Sequence, residues 1–274
     1  MQGFLQVPLA YSSRDFTAFY FDGVLYRFTV LPFGLINGPS AFTQCLNMVF
    51  GSDLRSYVTP YIDDLIIHSA TFSDHIDHLR TVFSRIRESG MTLNLQKSSF
   101  CRIEVEFLGH LITTKGIKQK PDRIESIKNL LPPKNLKELR RLLGIFAWHR
   151  KFIPNFSQIA NPLFELLKKN KKWKWEAIHD IAFNHLKDAV AEDTLLTHPD
   201  FSLPFYIQTD GSTVGIAAHL WQNIDNEKRT IAYASRSLKS HEKSYSITEI
   251  ECLSVLFGIK KFISYLIGNK FIVI

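Results

Sequence analysis

The sequence predicts an α+β protein. Three observations lead there. Residues 14–112 alternate short β-rich runs with two amphipathic helical patterns. Residues 122–146 carry two helical patterns in succession. From residue 205 on, strand signals and one long helix are followed by a last strand at 271–274.

The elements follow in order. Residues 14–33 read as a hairpin turning at Asp22-Gly23, a favoured two-residue turn. LPFGLINGP (31–39) is loop punctuation, and 40–56 is a helix with Phe42, Cys45, Leu46 and Val49 on one face. VTPYIDDLIIHS (58–69) reads as two short strands, 58–62 and 65–69, joined by Asp63-Asp64. Residues 71–73 can cap a helix running to about 89 on Ile76, Leu79, Val82, Phe83 and Ile86, with Gly90 as its stop. MTLNL (91–95) resembles a short strand, and 104–112 another hairpin. A helix over 122–131 ends at Pro132-Pro133. Asn135 with Glu138 suggests a capping box for a helix with Leu136, Leu139, Leu142, Leu143 and Phe146 in its core stripe. Residues 205–212 and 232–235 read as strands. Residues 246–268 form a helix with Leu253, Leu256, Phe257, Phe262 and Leu266 inward.

The 274 residues suffice for one large domain or two to three small ones. Hydrophobic residues make up 45% and charged residues 22%, as in a soluble globular protein. No apolar run reaches membrane-spanning length, and MQGFLQVP lacks the pattern of a signal peptide. Cys45, Cys101 and Cys252 lie far apart with no CxxC. They fit buried thiols in a reducing compartment better than a disulfide or zinc framework.

The net charge of +7 is compatible with a polyanionic partner. Its distribution is more informative. Lys134, Lys137, Arg140, Arg141, Arg150 and Lys151 cluster at 134–151, and 168–175 reads KKNKKWKW. Two readings of the latter stand side by side: phosphate contact beside stacking or packing tryptophans, or Trp173 and Trp175, two apart, as one buried face of a strand. The adjacent acids at 63 and 64 also carry two readings. One is a plain turn. The other is a tip that holds a cation, since a hairpin tip usually carries Gly or Asn and a buried carboxylate needs a positive partner.

Five blocks in order then match a known family. Tyr61-Ile62-Asp63-Asp64 resembles the Y-x-D-D box of reverse transcriptases. LPFGLINGPSAF (31–42) resembles a block of gypsy-type LTR retrotransposon polymerases. Residues 107–110 (FLGH) resemble their primer-grip hairpin. LRRLLG (139–144) with FIPNF (152–156) resembles their thumb. TDGS (209–212), followed by Tyr245-Ser246 and Glu249-Ile250-Glu251, resembles the start of their tethered ribonuclease H. The resemblance covers essentially the whole chain. It implies a reverse-transcriptase palm with partial fingers at 1–112, a helical thumb at 113–165, a connection at 166–203 and a ribonuclease H-like α/β domain at 204–274.

The resemblance also implies roles. Asp63 is the principal Mg²⁺ ligand and Asp64 a weaker one, in a site where two ions about 3.5–4 Å apart clamp the attacking and leaving oxygens; Mn²⁺ is an alternative ion. Tyr61 packs near the primer terminus, and Phe4 is either a steric gate against a 2′-hydroxyl or a core phenylalanine. Arg14 belongs to the fingers, and Phe33 and Gly34 lie near the incoming base pair. Phe107, Leu108 and Gly109 form the primer grip. Lys97 is either a proton donor to the leaving pyrophosphate or a surface lysine. Asp210 and Glu251 are metal-binding acids of the ribonuclease, with Glu251 ranked above Glu249. Expected partners are an RNA/DNA template-primer, dNTPs and the rest of a Pol polyprotein, with no membrane. The expected location is a cytoplasmic virus-like particle or replication complex, or the nucleus, without secretion.

The chain departs from the family at both ends. A third polymerase acid is expected two residues before Met1, which reads as an internal methionine, and a further ribonuclease Asp two residues after Ile274. The chain as given is therefore expected to be inactive in both reactions. The alternative is a non-catalytic relic that only binds nucleic acid.

Overall fold

The computed structural model describes residues 3–169, 171–192 and 194–274, so Met1, and Asn170 of the lysine-tryptophan stretch, lie outside the described residues. The fold is α+β, and the chain packs as two units, Met1–Phe107 and Leu108–Ile274. Among the described residues, no helix is long and apolar enough to cross a membrane.

In the first unit, Tyr11–Arg14 forms a single helical turn, α1. The hairpin predicted over 14–33 is shorter than its sequence signal. β1 (Phe19–Phe21) pairs with β2 (Val24–Tyr26) around Asp22-Gly23, where both residues have positive φ, 47° and 74°, as a tight two-residue turn requires. All six strand residues are exposed. α2 (Gly38–Phe50) starts with a proline in its first turn and buries Phe42, Leu46 and Phe50. These meet Leu31, Leu54, Val58, Val82 and Ile86 in one core. α3 (Phe72–Glu88) begins where the Thr71 hydroxyl accepts the Asp74 N–H, and presents Leu79, Val82 and Ile86 to that core.

The acidic hairpin is offset by one residue from the sequence reading. β3 (Val58–Tyr61) pairs with β4 (Asp64–Ile67), with Tyr61 opposite Asp64. The tip is therefore Ile62-Asp63, and Asp64 already belongs to the ladder. The strand expected at 91–95 is absent. Thr92 donates its N–H to Gln6 Oε1 at 2.7 Å, and Asn94 caps a 3₁₀ turn over Leu95–Lys97, so this backbone spends its hydrogen bonds outside any ladder. β5 (Glu104–Phe107) closes the unit.

In the second unit, β6 (His110–Thr113), β7 (Gly116–Gln119) and β8 (Leu196–Thr197) make an antiparallel ladder. α4 (Pro121–Lys128) leads to α5 (Leu136–His149), where Asn135 Oδ1 accepts the Glu138 N–H at 2.9 Å. The Glu138 carboxylate accepts from the Lys134 N–H, one residue earlier than a capping box predicts. Leu139, Leu142, Leu143 and Phe146 pack with the short helices α6 (Phe156–Ile159) and α7 (Asn161–Glu165) and with α8 (Ala177–Ala191). Trp173 and Trp175 pack against the same core, and Trp175 Nε1 donates to Asp180. The two tryptophans therefore pack, but outside any strand of the described residues.

The last segment is a four-stranded sheet in the order β11-β10-β9-β12. It comprises β9 (Phe205–Gly211), β10 (Gly215–Ile224), β11 (Glu227–Ser237) and β12 (Phe271–Val273), the last parallel to β9. α9 (Ile247–Leu266) covers one face, burying Ile250, Ser254, Gly258, Phe262 and Leu266. Leu256, expected inward, is 54% exposed. The small residues at 254 and 258 let the backbone approach the sheet, and that rotates the buried stripe away from 256.

At the edge of this sheet the Arg236 guanidinium grips the buried Glu242 carboxylate with two bonds, 2.6 and 2.8 Å, and the Lys239 N–H adds a third. Arg236 first, then that N–H, holds the Glu242 carboxyl down at about 2 from an ordinary 4.5. Its stabilisation is complete above pH 4.5 and is lost as pH falls toward 2. Glu242→Gln is expected to cost about 2 kcal/mol at pH 7. Urea unfolding of both proteins at pH 7 and pH 3 should show the gap narrowing in acid; a constant gap would contradict this account.

Candidate active sites

The first candidate site is built on the β3–β4 tip. Ile62 has φ 47°, a left-handed conformation that a β-branched residue adopts only when its surroundings impose it. The four-residue ladder from Val58 to Ile67 does so. The consequence is that Asp63 projects from the turn and Asp64 from the first strand position. Both are exposed, which corrects the premise of a buried acidic pair. Neither makes an ion pair among the described residues.

The chain start runs directly beside this tip. A β-carbon on Gly3 would lie 2.5 Å from Asp63 Oδ1 and 3.0 Å from the Phe42 ring, so a larger residue there would displace the Asp63 carboxylate. One residue on, the Phe4 ring is wedged between Phe42 at 5.1 Å and Phe33 at 5.3 Å. Phe33 is 56% exposed, and Gly34 follows at φ 90° with open space around it. Tyr61 is half-exposed and meets Phe107 edge-on at 6.5 Å. A cleft of about 460 Å³ runs between Tyr61-Ile62 and the polar face of α2, with Ser40, Thr43, Gln44 and Asn47 on its wall. The structure thus gathers Phe4, Phe33, Asp63 and Asp64 around one surface.

The other expected residues have these local settings. Arg14 Nε donates to the Leu9 carbonyl at 3.2 Å. Lys97 is exposed in its 3₁₀ turn and makes no ion pair among the described residues. Leu108 and Gly109 have positive φ, 48° and 76°, and form the turn before β6 in the second unit.

The second candidate site lies at the end of β9. Asp210 is exposed, and Gln158 Nε2 of α6 donates to Asp210 Oδ2 at 3.4 Å and to Ser212 Oγ at 3.2 Å. A β-carbon on Gly211 would lie 2.8 Å from the Ile250 side chain and 3.1 Å from its carbonyl. This contact brings the backbones flanking Asp210 and Glu251 against one another. Glu249 is occupied differently. Its carboxylate accepts the Ser246 N–H and hydroxyl, both at 2.8 Å, capping α9, and those bonds hold its carboxyl below the ordinary value. Glu251 carries no such duty and is exposed.

The donor set at both places consists of exposed carboxylate oxygens, the kind Mg²⁺ takes. Among the described residues no group of three acids, histidines or cysteines could hold an ion. Sequence reasoning missed Gln158, which sits 52 positions from Asp210 with no local pattern to mark it. It also missed the reason for Gly3, although a glycine beside an aromatic residue is a signal of close backbone approach.

Residues 1–112 match the family described as reverse transcriptase (RNA-dependent DNA polymerase), and residues 175–273 match the family described as an RNase H-like domain found in reverse transcriptase. The retrovirus-related Pol polyprotein from transposon 297 of Drosophila melanogaster is 35% identical over 99% of this chain, and that from transposon 412 is 36% identical over 100%. The chain spans about a quarter of their length, 25% and 22%. The foamy viral protease-reverse transcriptase in complex with an RNA/DNA hybrid aligns over all of this chain and 37% of its own, with TM-score 0.87 and 28% identity.

Gly3→Ala is expected to turn the Asp63 carboxylate aside. Primer extension by a chain carrying its natural flanks should fall by about a hundredfold, the scale of a 1 Å misplacement, with the melting temperature little changed. Unaltered extension would mean that the orientation of Asp63 is immaterial. The two family matches, the Pol polyprotein relatives and the solved structures agree with the five sequence blocks: the chain belongs to the reverse transcriptases of retrotransposon Pol polyproteins, with a polymerase region followed by an RNase H-like domain.

Proposed function

We propose that the chain is the core of an RNA-directed DNA polymerase with a tethered ribonuclease H, of the gypsy type, acting within a longer Pol polyprotein. The observation that carries this is the pair of exposed, unpaired carboxylates on a strained and rigid tip, with Gly3 packed against one of them. Mg²⁺, when bound, lowers the cost of the charge that develops on the oxygens exchanged in nucleotidyl transfer. Asp63 and Asp64 would hold the ion at the primer end. The Phe4 ring, fixed between Phe33 and Phe42, is placed to reject a 2′-hydroxyl on an incoming nucleotide. The exposed Lys97 ammonium is free to give a proton to the leaving pyrophosphate. The Leu108-Gly109 turn contacts the primer strand.

At the second site the parallel register supports the same reading. Val273 lies opposite Ile207, so continuing the pairing sets the third position after Val273 beside Asp210. An acid there would join Asp210 and Glu251. Two protein ligands per site are too few to hold two ions, so the 274 residues alone are expected to extend primers and cleave RNA weakly or not at all. The competing reading, a non-catalytic relic, is favoured only if activity stays absent once the flanks are restored.

The test separates the two sites. In a chain with its natural flanks, Asp63→Asn should reduce Mg²⁺-dependent extension by about a thousandfold, the scale of removing one electrostatic stabiliser of a transition state, while RNA cleavage in a hybrid persists. Asp210→Asn should do the reverse. Loss of both activities in either variant, with folding intact, would contradict the assignment of two independent sites.

A further inference from the structure

Arg123 lies over the Trp148 ring, its guanidinium carbon 5.4 Å from the ring centre. Trp148 stacks on His110 at 5.5 Å and 15°, and His110 meets Phe152 at 5.6 Å. Lys151 Nζ caps the far end, 5.2 Å from the Phe152 ring. These five side chains form one column, cation at each end and aromatic between. The column abuts the Leu108-Gly109 turn: a β-carbon on Gly109 would lie 2.9 Å from an Arg123 nitrogen.

Two features set this column apart from ordinary packing. Neither Arg123 nor Lys151 meets a carboxylate among the described residues, so each has an aromatic ring and no acid as its partner. Arg123 and Trp148 are also open to solvent, as is Leu108 at the turn. Helix stability does not place the arginine there, since the first turn of a helix disfavours a cation. The column's own histidine does not add to the charge. Burial, then Lys151 and other cations, push His110 down to about 4, so it is neutral at pH 7.

We infer that Arg123, held flat by Trp148 beside the Leu108-Gly109 turn, is a further contact to a nucleic-acid backbone phosphate, with Trp148 as its positioning residue. A planar guanidinium suits a phosphate, and stacking fixes its plane before the ligand arrives. This rests on the proposed function, because the ligand is the template-primer duplex.

The probe is a fluorescently labelled RNA/DNA hybrid titrated with the 274-residue chain at several salt concentrations. Arg123→Gln, an exposed and conservative change, should weaken binding about tenfold and reduce the salt slope by about one. Arg123→Lys should keep the slope and recover part of the affinity. Trp148→Leu should weaken binding and Trp148→Phe restore it. Wild-type affinity and slope in Arg123→Gln would overturn the inference, whatever the tryptophan variants do. No binding by the wild-type chain would overturn the proposed function and the contact together. In a chain with its natural flanks, Asp63→Asn that binds normally but cannot extend keeps the two claims separate.

Discussion

The left-handed backbone at Ile62 is the constraint on which the first site depends. A β-branched residue at φ 47° is unfavourable in isolation. It persists because paired strands on both sides leave the chain two residues in which to reverse. That reversal exposes two neighbouring carboxylates, neither of which pairs with a lysine or arginine among the described residues. With an Asn-Gly tip the same hairpin would lose the Asp63 carboxylate and keep only that of Asp64. Strain and function thus meet at one position, the usual place for strain to be retained.

Close approach by glycine plays the matching part at both sites. Gly3 lets the chain start pass against Asp63, and Gly211 lets β9 close on α9 at Ile250. At Gly3 the close neighbour is the Asp63 carboxylate itself, and at Gly211 it is the Ile250 side chain and backbone, one residue from Glu251. Asp63 and Glu251 are both exposed.

The positive charge of the chain is sorted by partner. The lysine-tryptophan stretch is partly engaged within the protein: Trp173 and Trp175 join the helical core, and two of its lysines, Lys168 and Lys174, meet Glu165 and Glu176. Composition alone cannot separate these cations from Arg123 and Lys151, which are laid on aromatic rings with no acid beside them. A basic stretch in a sequence is an upper bound on the charge left for a partner.

The sequence by itself determined the class of fold, the helices α2, α3, α4, α5 and α9, and the hairpins at Asp22-Gly23 and around the paired acids; it missed α8 and the short helices α1, α6 and α7. The elements it determined rest on local properties: periodicity, turn chemistry and motif order are carried by neighbours along the chain. The cap of α9 occupies the Glu249 carboxylate, whereas Glu251 is exposed. The sequence failed at β7, β8 and β10, at the absent strand over 91–95 and at Leu256, because pairing and helix rotation depend on what lies across the sheet. Only the tertiary structure decided that the tip is Ile62-Asp63, that both acids are exposed, that Gln158 reaches Asp210, and that Arg123 stacks on Trp148. Each of these joins or orients groups through backbone geometry or contacts that no spacing along the chain encodes.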